Sequence, residues 1–164
     1  MAGTVVNTTR FGDIQVEEER IITFVEPIFG FEKSLRYVIL DHAENSPFKW
    51  LQSIEDPELA FVVTNPVFFG LEYEFELPDE TVNKLALSAA EDALVLTIVN
   101  IPASDPSKMT ANLLGPIIIH QGNRKAMQVV LNESRFSTKT RLIPDEAAKK
   151  GGVSSQGASS EKGE

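Results

Sequence analysis

The sequence has no cysteine among its 164 residues and only two histidines, His42 and His120. Without thiols the chain can form no disulfide, no thiolate metal site and no cysteine nucleophile. The two histidines are far apart in the sequence and match no metal-binding spacing such as HxxxH. We therefore interpret His42 as a solvated turn residue and His120 as the polar end of an apolar strand, and we expect neither a metal site nor a catalytic histidine.

Long apolar runs and common catalytic motifs are also missing. No apolar stretch approaches the ~20 residues that a membrane span needs, and the N-terminus lacks the basic and apolar regions of a signal peptide. The sequence has no GxSxG nucleophile elbow and no phosphate loop ending in GKS or GKT. Its carboxylates stand in polar runs such as Glu17–Glu19, not among the apolar groups that raise the pKa of a catalytic acid. We therefore expect a cytoplasmic protein that is not an enzyme and uses no cofactor.

Positive charge is scarce in the first half of the chain. Residues 1–80 carry 5 basic and 16 acidic side chains, whereas residues 81–164 carry 10 basic and 8 acidic ones, for a net charge of −9. Phosphate contacts need lysine and arginine, so the acidic half argues against direct binding to nucleic acid. It would instead attract a basic protein surface. The alternative interpretation, in which the charge only keeps the protein soluble, stays open.

The sequence is rich in short runs of Val, Ile, Phe, Tyr and Thr that are separated by Pro, Gly and Asp. This pattern predicts a mainly β, antiparallel fold. The predicted strands are Val5–Arg10, Arg20–Val25, Leu35–Asp41, Ala60–Thr64, Gly70–Phe75, Ala93–Val99, Pro116–His120 and Ala126–Leu131. A short helix is predicted from Pro78 to about Leu87, because proline and acidic residues favour a first helical turn. Residues 47–53 are predicted to form a single helical turn.

Residues 71–77 alternate apolar and acidic side chains. The apolar positions are Leu71, Tyr73, Phe75 and Leu77, and the acidic positions are Glu72, Glu74 and Glu76. Because side chains of a strand point alternately to its two faces, the three carboxylates are predicted to share one outward face.

The β pattern ends near Asp145. The last residues, GGVSSQGASSEKGE, contain one large apolar side chain, Val153, and cannot bury enough surface to offset the entropy lost on ordering. We therefore predict a β domain over residues 1–144 and a disordered Ser/Gly-rich tail over residues 145–164.

Four segments carry a family resemblance. They are FGDIQVEEERIITF, EPIFGFEKSLRYVIL, SPFKWLQSIEDPELAFVVTNP, and LTIVNIP followed by TANLLGPIIIHQGNRKAMQVVL. In this order and spacing they resemble the family of the flagellar assembly factor FliW over about residues 5–143. Gly115 and His120 depart from the family pattern, where alanine and asparagine are expected.

The resemblance implies a single compact β-barrel-like domain with one or two short helices, no catalytic activity and two alternative protein partners. These partners are flagellin and the RNA-binding translational regulator CsrA. When flagellin is exported, the freed factor captures CsrA and so relieves the repression of flagellin mRNA. We expect a monomer when free, with no direct binding to nucleic acid or membrane. An alternative from another class is a small carbohydrate- or metabolite-binding β-barrel, or a hydrolase that uses two acids.

An acidic surface is predicted to face CsrA, because an RNA-binding regulator must carry a basic surface. Its predicted residues are Glu55, Asp56, Glu72, Glu74, Glu76, Asp79 and Glu80. The alternative is an outward strand face that is charged to block aggregation between sheet edges.

An apolar groove is predicted to bind the amphipathic terminal helices of flagellin. Its predicted lining residues are Phe48, Trp50, Leu51, Phe68, Phe69, Ile101, Leu113 and Ile117. They stand beside turn residues, where large side chains can reach the surface and anchor a partner. The alternative for most of them is a place in the core.

Overall fold

The structure is a computed structural model that describes residues 3–41 and 43–143. The strands are β1 (Gly3–Thr8), β2 (Gly12–Glu17), β3 (Ile22–Phe24), β4 (Arg36–Asp41), β5 (Phe48–Ser53), β6 (Ala60–Thr64), β7 (Ala93–Asn100), β8 (Thr110–Ala111), β9 (Ile117–His120), β10 (Lys125–Gln128) and β11 (Thr140–Arg141). One α-helix, α1 (Asp79–Leu85), occurs within these residues, and short 3-10 turns lie at Glu18–Arg20, Pro66–Phe69, Ala90–Asp92 and Pro106–Lys108. His42 and the predicted tail lie outside the described residues.

Seven of the strands close into a barrel. Their order is β7-β6-β5-β4-β3-β10-β9, and β9 pairs back onto β7. Neighbours in the barrel are antiparallel except β3 and β10, which run parallel with Phe24 opposite Ala126. Closure removes the unpaired edges that an open sheet would expose. The short strands β8 and β11 extend the sheet beside β7, and β1 and β2 form a separate hairpin.

The strands of one side of the barrel are buried on both faces, which explains their continuous apolar runs. On β9, Ile117 and Ile119 point into the barrel, whereas Ile118 belongs to a cluster on the outer side. The interior cluster consists of Ile22, Phe24, Ile28, Tyr37, Leu51, Val63, Leu96, Ile117, Ile119 and Ala126. The barrel is therefore filled by side chains rather than hollow.

Two covering layers bury the outer faces. Residues 71–87, which include α1, pack over β7, β9 and β10 together with the chain after β10. The contact is made through a cluster that contains Tyr73, Leu85 and Met127, which we name the outer cluster. The β1–β2 hairpin covers β4, where Val6 and Val16 pack with Val38. Each layer buries apolar surface that the barrel alone would leave in water, which is the main force that holds it in place.

Several predicted elements differ from the observed ones. In place of the helical turn predicted for residues 47–53, Phe48–Ser53 form strand β5, because pairing with both β4 and β6 outweighs the local signal. The predicted strand Gly70–Phe75 is wrong, since residues 71–77 join no ladder. The hairpin strand β2 and the two-residue strands β8 and β11 were missed because their sequences are short or polar. The helix is confirmed, starting after Pro78 and ending at the left-handed Ala86.

Candidate partner-binding surfaces

Residues 71–77, which we name the ridge segment, lie over the outer cluster and carry a row of acidic side chains. The side chains of Glu72, Glu74 and Glu76 are exposed, whereas Tyr73 is buried and Phe75 is half-buried. We name the three exposed glutamates the acidic ridge. Their shared face agrees with the alternation in the sequence, although the segment is not a paired strand.

An aromatic base holds the acidic ridge in place. The ring of Tyr73 lies 4.9 Å from that of Phe75 and 5.1 Å from that of Phe136, centroid to centroid. The Tyr73 hydroxyl donates a hydrogen bond of 2.5 Å to the carbonyl of Leu113. Burial, together with the nearby charge of Glu133, raises the pKa of Tyr73. The hydroxyl therefore stays protonated at neutral pH and keeps donating this bond.

Helix α1 continues the acidic surface, but one of its two acids is paired. Asp79 is exposed in the first turn. The Glu80 carboxylate accepts a hydrogen bond of 2.6 Å from Lys84, which also pairs with Glu26. The hydrogen bond from Lys84 and its charge lower the pKa of Glu80, and the hydrogen bonds that Lys84 donates to Glu26 and Glu80 raise the pKa of Lys84. Asp79 thus adds negative charge to the ridge side, whereas much of the charge of Glu80 is balanced.

Glu55 has a structural role that the sequence did not indicate. One carboxylate oxygen accepts the main-chain N–H groups of Leu35 and Arg36 at 3.0 and 2.9 Å, and the other accepts Arg36 Nε at 2.6 Å. Partial burial opposes ionisation, but these bonds outweigh it and lower the pKa of Glu55. Neighbouring Asp56 accepts the N–H of Glu58 at 3.0 Å. Glu55 therefore ties two chain segments together, in addition to standing among the seven acids predicted to face CsrA.

The predicted apolar groove does not exist as one surface. Leu51, Leu113 and Ile117 are buried in the core, so the prediction that they line a groove is wrong. Leu51 and Ile117 point into the barrel interior, whereas Leu113 lies in the cluster under a covering layer. The local sequence pattern did not indicate either environment.

The other predicted groove residues separate into three environments. Phe48, Phe69 and Ile101 pack against the outer cluster, with the Phe48 and Phe69 rings 5.5 Å apart. Trp50 lies under the hairpin turn, where the guanidinium carbon of Arg10 is 4.4 Å from its ring centroid. Phe68 alone among the eight is highly exposed, at 70%.

A set of exposed apolar side chains lies near one end of the barrel, where β3 and β10 end. Its members are Val25, Phe29, Phe31, Leu35 and Val130, which we name the end patch. Phe29 is 62% and Val130 58% exposed. The N–H of Val25 bonds to the carbonyl of Ala126 at 2.8 Å, and that of Phe29 to Gln128 Oε1 at 3.0 Å. These bonds bring the two segments of the patch together.

The sequence contained a partial signal for the end patch. Phe29 and Phe31 flank Gly30, whose φ of 90° favours glycine and turns the chain outward. Aromatic side chains at a turn can be core or surface, and the turn alone does not decide between them. Val25, Leu35 and Val130 are apolar residues on strand ends without any distinguishing local pattern.

His120 has a local structural role. Its Nδ1 accepts the N–H groups of Gly122 and Asn123 at 2.9 and 3.3 Å, which closes the turn between β9 and β10. Across residues 3–41 and 43–143 no group of three or more His, Cys, Asp or Glu side chains is placed to hold a metal ion. In the same residues no helix is long and apolar enough to cross a membrane.

Gly115, one of the departures from the family pattern, stands in a tight site. A Cβ atom there would lie 3.1 Å from both Asn112 Nδ2 and Gln128 Nε2. Both amides are engaged around this loop, since Asn112 Oδ1 accepts the Gly115 N–H and Gln128 Nε2 bonds to the Gly115 carbonyl. The glycine and the amide pair therefore fit each other in this chain.

Comparison with known proteins identifies the family. The sequence profile described as "FliW protein" matches residues 5–142. The chain belongs to the FliW family. The flagellar assembly factor FliW of Caldicellulosiruptor saccharolyticus is 46% identical over 140 residues, which cover 85% of this chain and 91% of that protein. The FliW protein of Leptospira interrogans is 35% identical over 149 residues, which cover 91% and 99%.

The structural comparison agrees. A crystal structure of the flagellar assembly factor FliW superposes with a TM-score of 0.80 and 32% identity, and the match covers 87% of this chain and 99% of that one. The predicted resemblance and the mainly β, barrel-like fold are both confirmed. The chain is thus a FliW flagellar assembly factor, and its match to the family ends before the predicted tail.

Proposed function

We propose that this flagellar assembly factor binds flagellin and, when flagellin is exported, binds and antagonises CsrA, so that flagellin mRNA is released from repression. Both binding events would take place in the cytoplasm. The observation that carries the proposal is the acidic ridge, in which three exposed carboxylates are held on one face by a buried aromatic base. Such a surface suits a basic, RNA-binding partner and would also repel RNA phosphates as it docks.

Within the predicted CsrA-facing residues, the acidic ridge and Asp79 are the strongest candidates. Glu55 and Glu80 already have cationic partners in Arg36 and Lys84. A charge that is balanced locally contributes less to the field that a basic partner experiences. Asp56 remains a secondary candidate, because it lies beside Glu55 on a turn between β5 and β6.

The end patch is the surface we assign to flagellin. Its five exposed apolar side chains are of the kind that marks a binding site for the apolar face of an amphipathic helix. A second, smaller candidate is the turn that carries Phe68 and Val67, which are 70% and 54% exposed. Phe68 is the member of the predicted groove that remains available to a partner.

A carbohydrate- or metabolite-binding barrel gains no support from the described residues. Its ligand would need space inside the barrel, and that space is filled by apolar side chains such as Ile22, Leu51 and Val63, which are fully buried.

The test is a competition between the two partners. The purified full chain is titrated with flagellin and with CsrA by calorimetry, and flagellin is then added to the complex with CsrA. We expect each partner to bind and flagellin to displace CsrA, which then binds the flagellin mRNA leader again in a gel-shift assay. Failure of both titrations at micromolar concentrations would reject the proposal.

A further inference from the structure

The main chain of the ridge segment is not paired with another strand. Residues 71–77 take part in no main-chain to main-chain hydrogen bond within the described part of the chain. Their alternating burial is that of an extended strand. The hydrogen bond recorded to these main-chain groups comes from Arg135, which donates to the carbonyl of Glu74. The segment therefore resembles the unpaired edge of a sheet, which readily accepts another strand.

The hydrogen bond from Arg135 indicates to which side of the ridge segment the main-chain N–H and C=O groups of each residue point. In an extended strand the N–H and C=O of one residue point to the same side, and those of the next residue point to the opposite side. Since the carbonyl of Glu74 faces Arg135, the main-chain groups of Tyr73 and Phe75 face away from it. A groove of about 680 Å³ runs along residues 73–77, and its lining does not include Arg135, which lines a separate hollow on its own side of the segment. The groove therefore lies on the side away from Arg135, and we name it the ridge groove.

The floor of the ridge groove is apolar. It is lined by the half-buried side chains of Val82, Leu87, Ala93 and Val95, with Tyr73 and Phe75 on the ridge side. Strand β7 lies at the far wall, where Ala93–Leu96 pair with β9 on one edge and the pairing with β6 begins only at Thr97. Within the described chain the ridge segment pairs with no strand, so it offers unpaired main-chain groups to a guest strand along its length.

We propose that the ridge segment binds its partner by strand addition, with an extended segment of the basic regulator lying in the ridge groove. The inference rests on the proposed function and specifies how the same surface binds. Residues opposite each other on paired strands place their side chains on the same face. The guest would therefore alternate lysine or arginine, beside Glu72, Glu74 and Glu76, with apolar side chains on the groove floor.

Charge determines which occupant fits this edge. A second copy of the chain paired through the same segment would place the two rows of glutamates side by side, which is unfavourable. A guest with alternating basic residues instead gains an opposite charge at each outward position. Main-chain hydrogen bonds would supply the affinity for the guest strand, and its alternation of basic and apolar side chains would supply the selectivity.

The test uses residue-resolved amide hydrogen exchange of the full chain, measured by NMR. The probes are CsrA and a synthetic peptide that alternates lysine and valine, with a peptide of the same composition but grouped lysines as the control. We expect CsrA and the alternating peptide to slow exchange at Tyr73 and Phe75 by about tenfold or more. The amides of Glu74 and Glu76 should not change, nor should the control peptide slow any of the four.

The outcomes separate this inference from the proposed function. If CsrA binds but leaves the amides of Tyr73 and Phe75 unchanged, strand addition is wrong while the proposed function stands. If CsrA fails to bind but the alternating peptide protects these amides, the open edge stands and the proposed partner is wrong. If CsrA fails to bind and the peptide gives no protection, both are wrong.

A charge swap gives an independent check. In the variant E72K/E74K/E76K the lysine–valine peptide should lose its protection, and a glutamate–valine peptide should gain it. The swap leaves the main chain of the ridge segment and the groove floor in place, so restored protection supports strand addition. Loss of protection by both peptides in a variant that keeps its melting temperature would contradict it.

Discussion

The acidic ridge and the end patch are two exposed surfaces built in opposite ways. The ridge carries charged side chains on a segment without main-chain pairing, anchored from below by Tyr73 and Phe75. The end patch carries apolar side chains on strand ends that are tied by hydrogen bonds to Ala126 and Gln128. Binding at the first should depend on salt, and binding at the second on buried apolar area. One small fold thus presents two exposed surfaces of distinct chemistry.

The largest expected effect is on the free energy of unfolding, and it distinguishes a core residue from an exposed one. Leu51→Ala should lower the free energy of unfolding by about 3 kcal/mol, because Leu51 is fully buried and truncation leaves a cavity. Phe68→Ala, at an exposed position of the same predicted groove, should change it by less than about 0.5 kcal/mol. Urea denaturation measures both. Equal losses would mean that Phe68 is held in the core and that the contrast between core and surface is wrong there.

The next effect concerns the ridge. The variant E72K/E74K/E76K should weaken CsrA binding by about 100-fold at low salt, because attraction becomes repulsion, and by much less at high salt. Flagellin binding should stay within about twofold, since charges that lie away from a contact have little effect on it. The matched control is E17K/E18K/E19K, which makes the same change in net charge at three exposed positions of the hairpin side. If the control weakens CsrA binding equally, net charge rather than the ridge is responsible.

A smaller effect is expected at the end patch. Phe29→Ser should weaken flagellin binding by about tenfold or more, with little dependence on salt, because an apolar contact is lost. CsrA binding should not change. Val5→Ser, at a position 63% exposed on strand β1, is the control for loss of an exposed apolar side chain. Calorimetric titration distinguishes the two, and a normal affinity for flagellin in the Phe29 variant would shift the assignment to Phe68.

The smallest effect tests why Glu55 differs from the ridge glutamates. Its pKa is lowered in the folded state, so its ionised form adds stability above the unfolded pKa of about 4.3. That stability is lost as the pH falls through the folded pKa. Glu55→Gln should therefore cost about 1 kcal/mol or less at pH 7, and the difference should vanish at low pH.

The control for Glu55 is Glu74→Gln, because the Glu74 side chain is exposed on the ridge. Thermal unfolding at several pH values measures both variants. A Glu55→Gln cost that is the same at pH 7 and at low pH would show that its hydrogen bonds do not require the ionised carboxylate.

Much of the fold could be predicted because its signals are local. The run Ile117–Ile119 and the residues of β6 are strongly β-forming, and the first-turn proline and acids indicate α1. Strand β5 could not be recognised, because its extended conformation is imposed by pairing with β4 and β6. Residues 71–77 show the converse case. They have the alternation of a strand, but no strand of the described chain pairs with them.

The candidate sites were predictable to different degrees. The shared face of the ridge glutamates follows from alternation alone. The pairing of Glu55 with Arg36 joins residues 19 positions apart, and the burial of Leu113 depends on a covering layer from the end of the chain. Those facts depend on contacts between distant segments, which local sequence patterns do not contain.

By itself, the sequence determined the β class, the acidic first half and the one-faced row of glutamates, because composition and period-two alternation are properties of adjacent residues. The tertiary structure decided which apolar side chains are core and which are exposed. Ile117 and Phe29 are both large apolar residues beside turns, yet barrel closure buries the first completely and leaves the second 62% exposed. Burial is a property of the whole packed chain, since it depends on what lies across the core from each side chain.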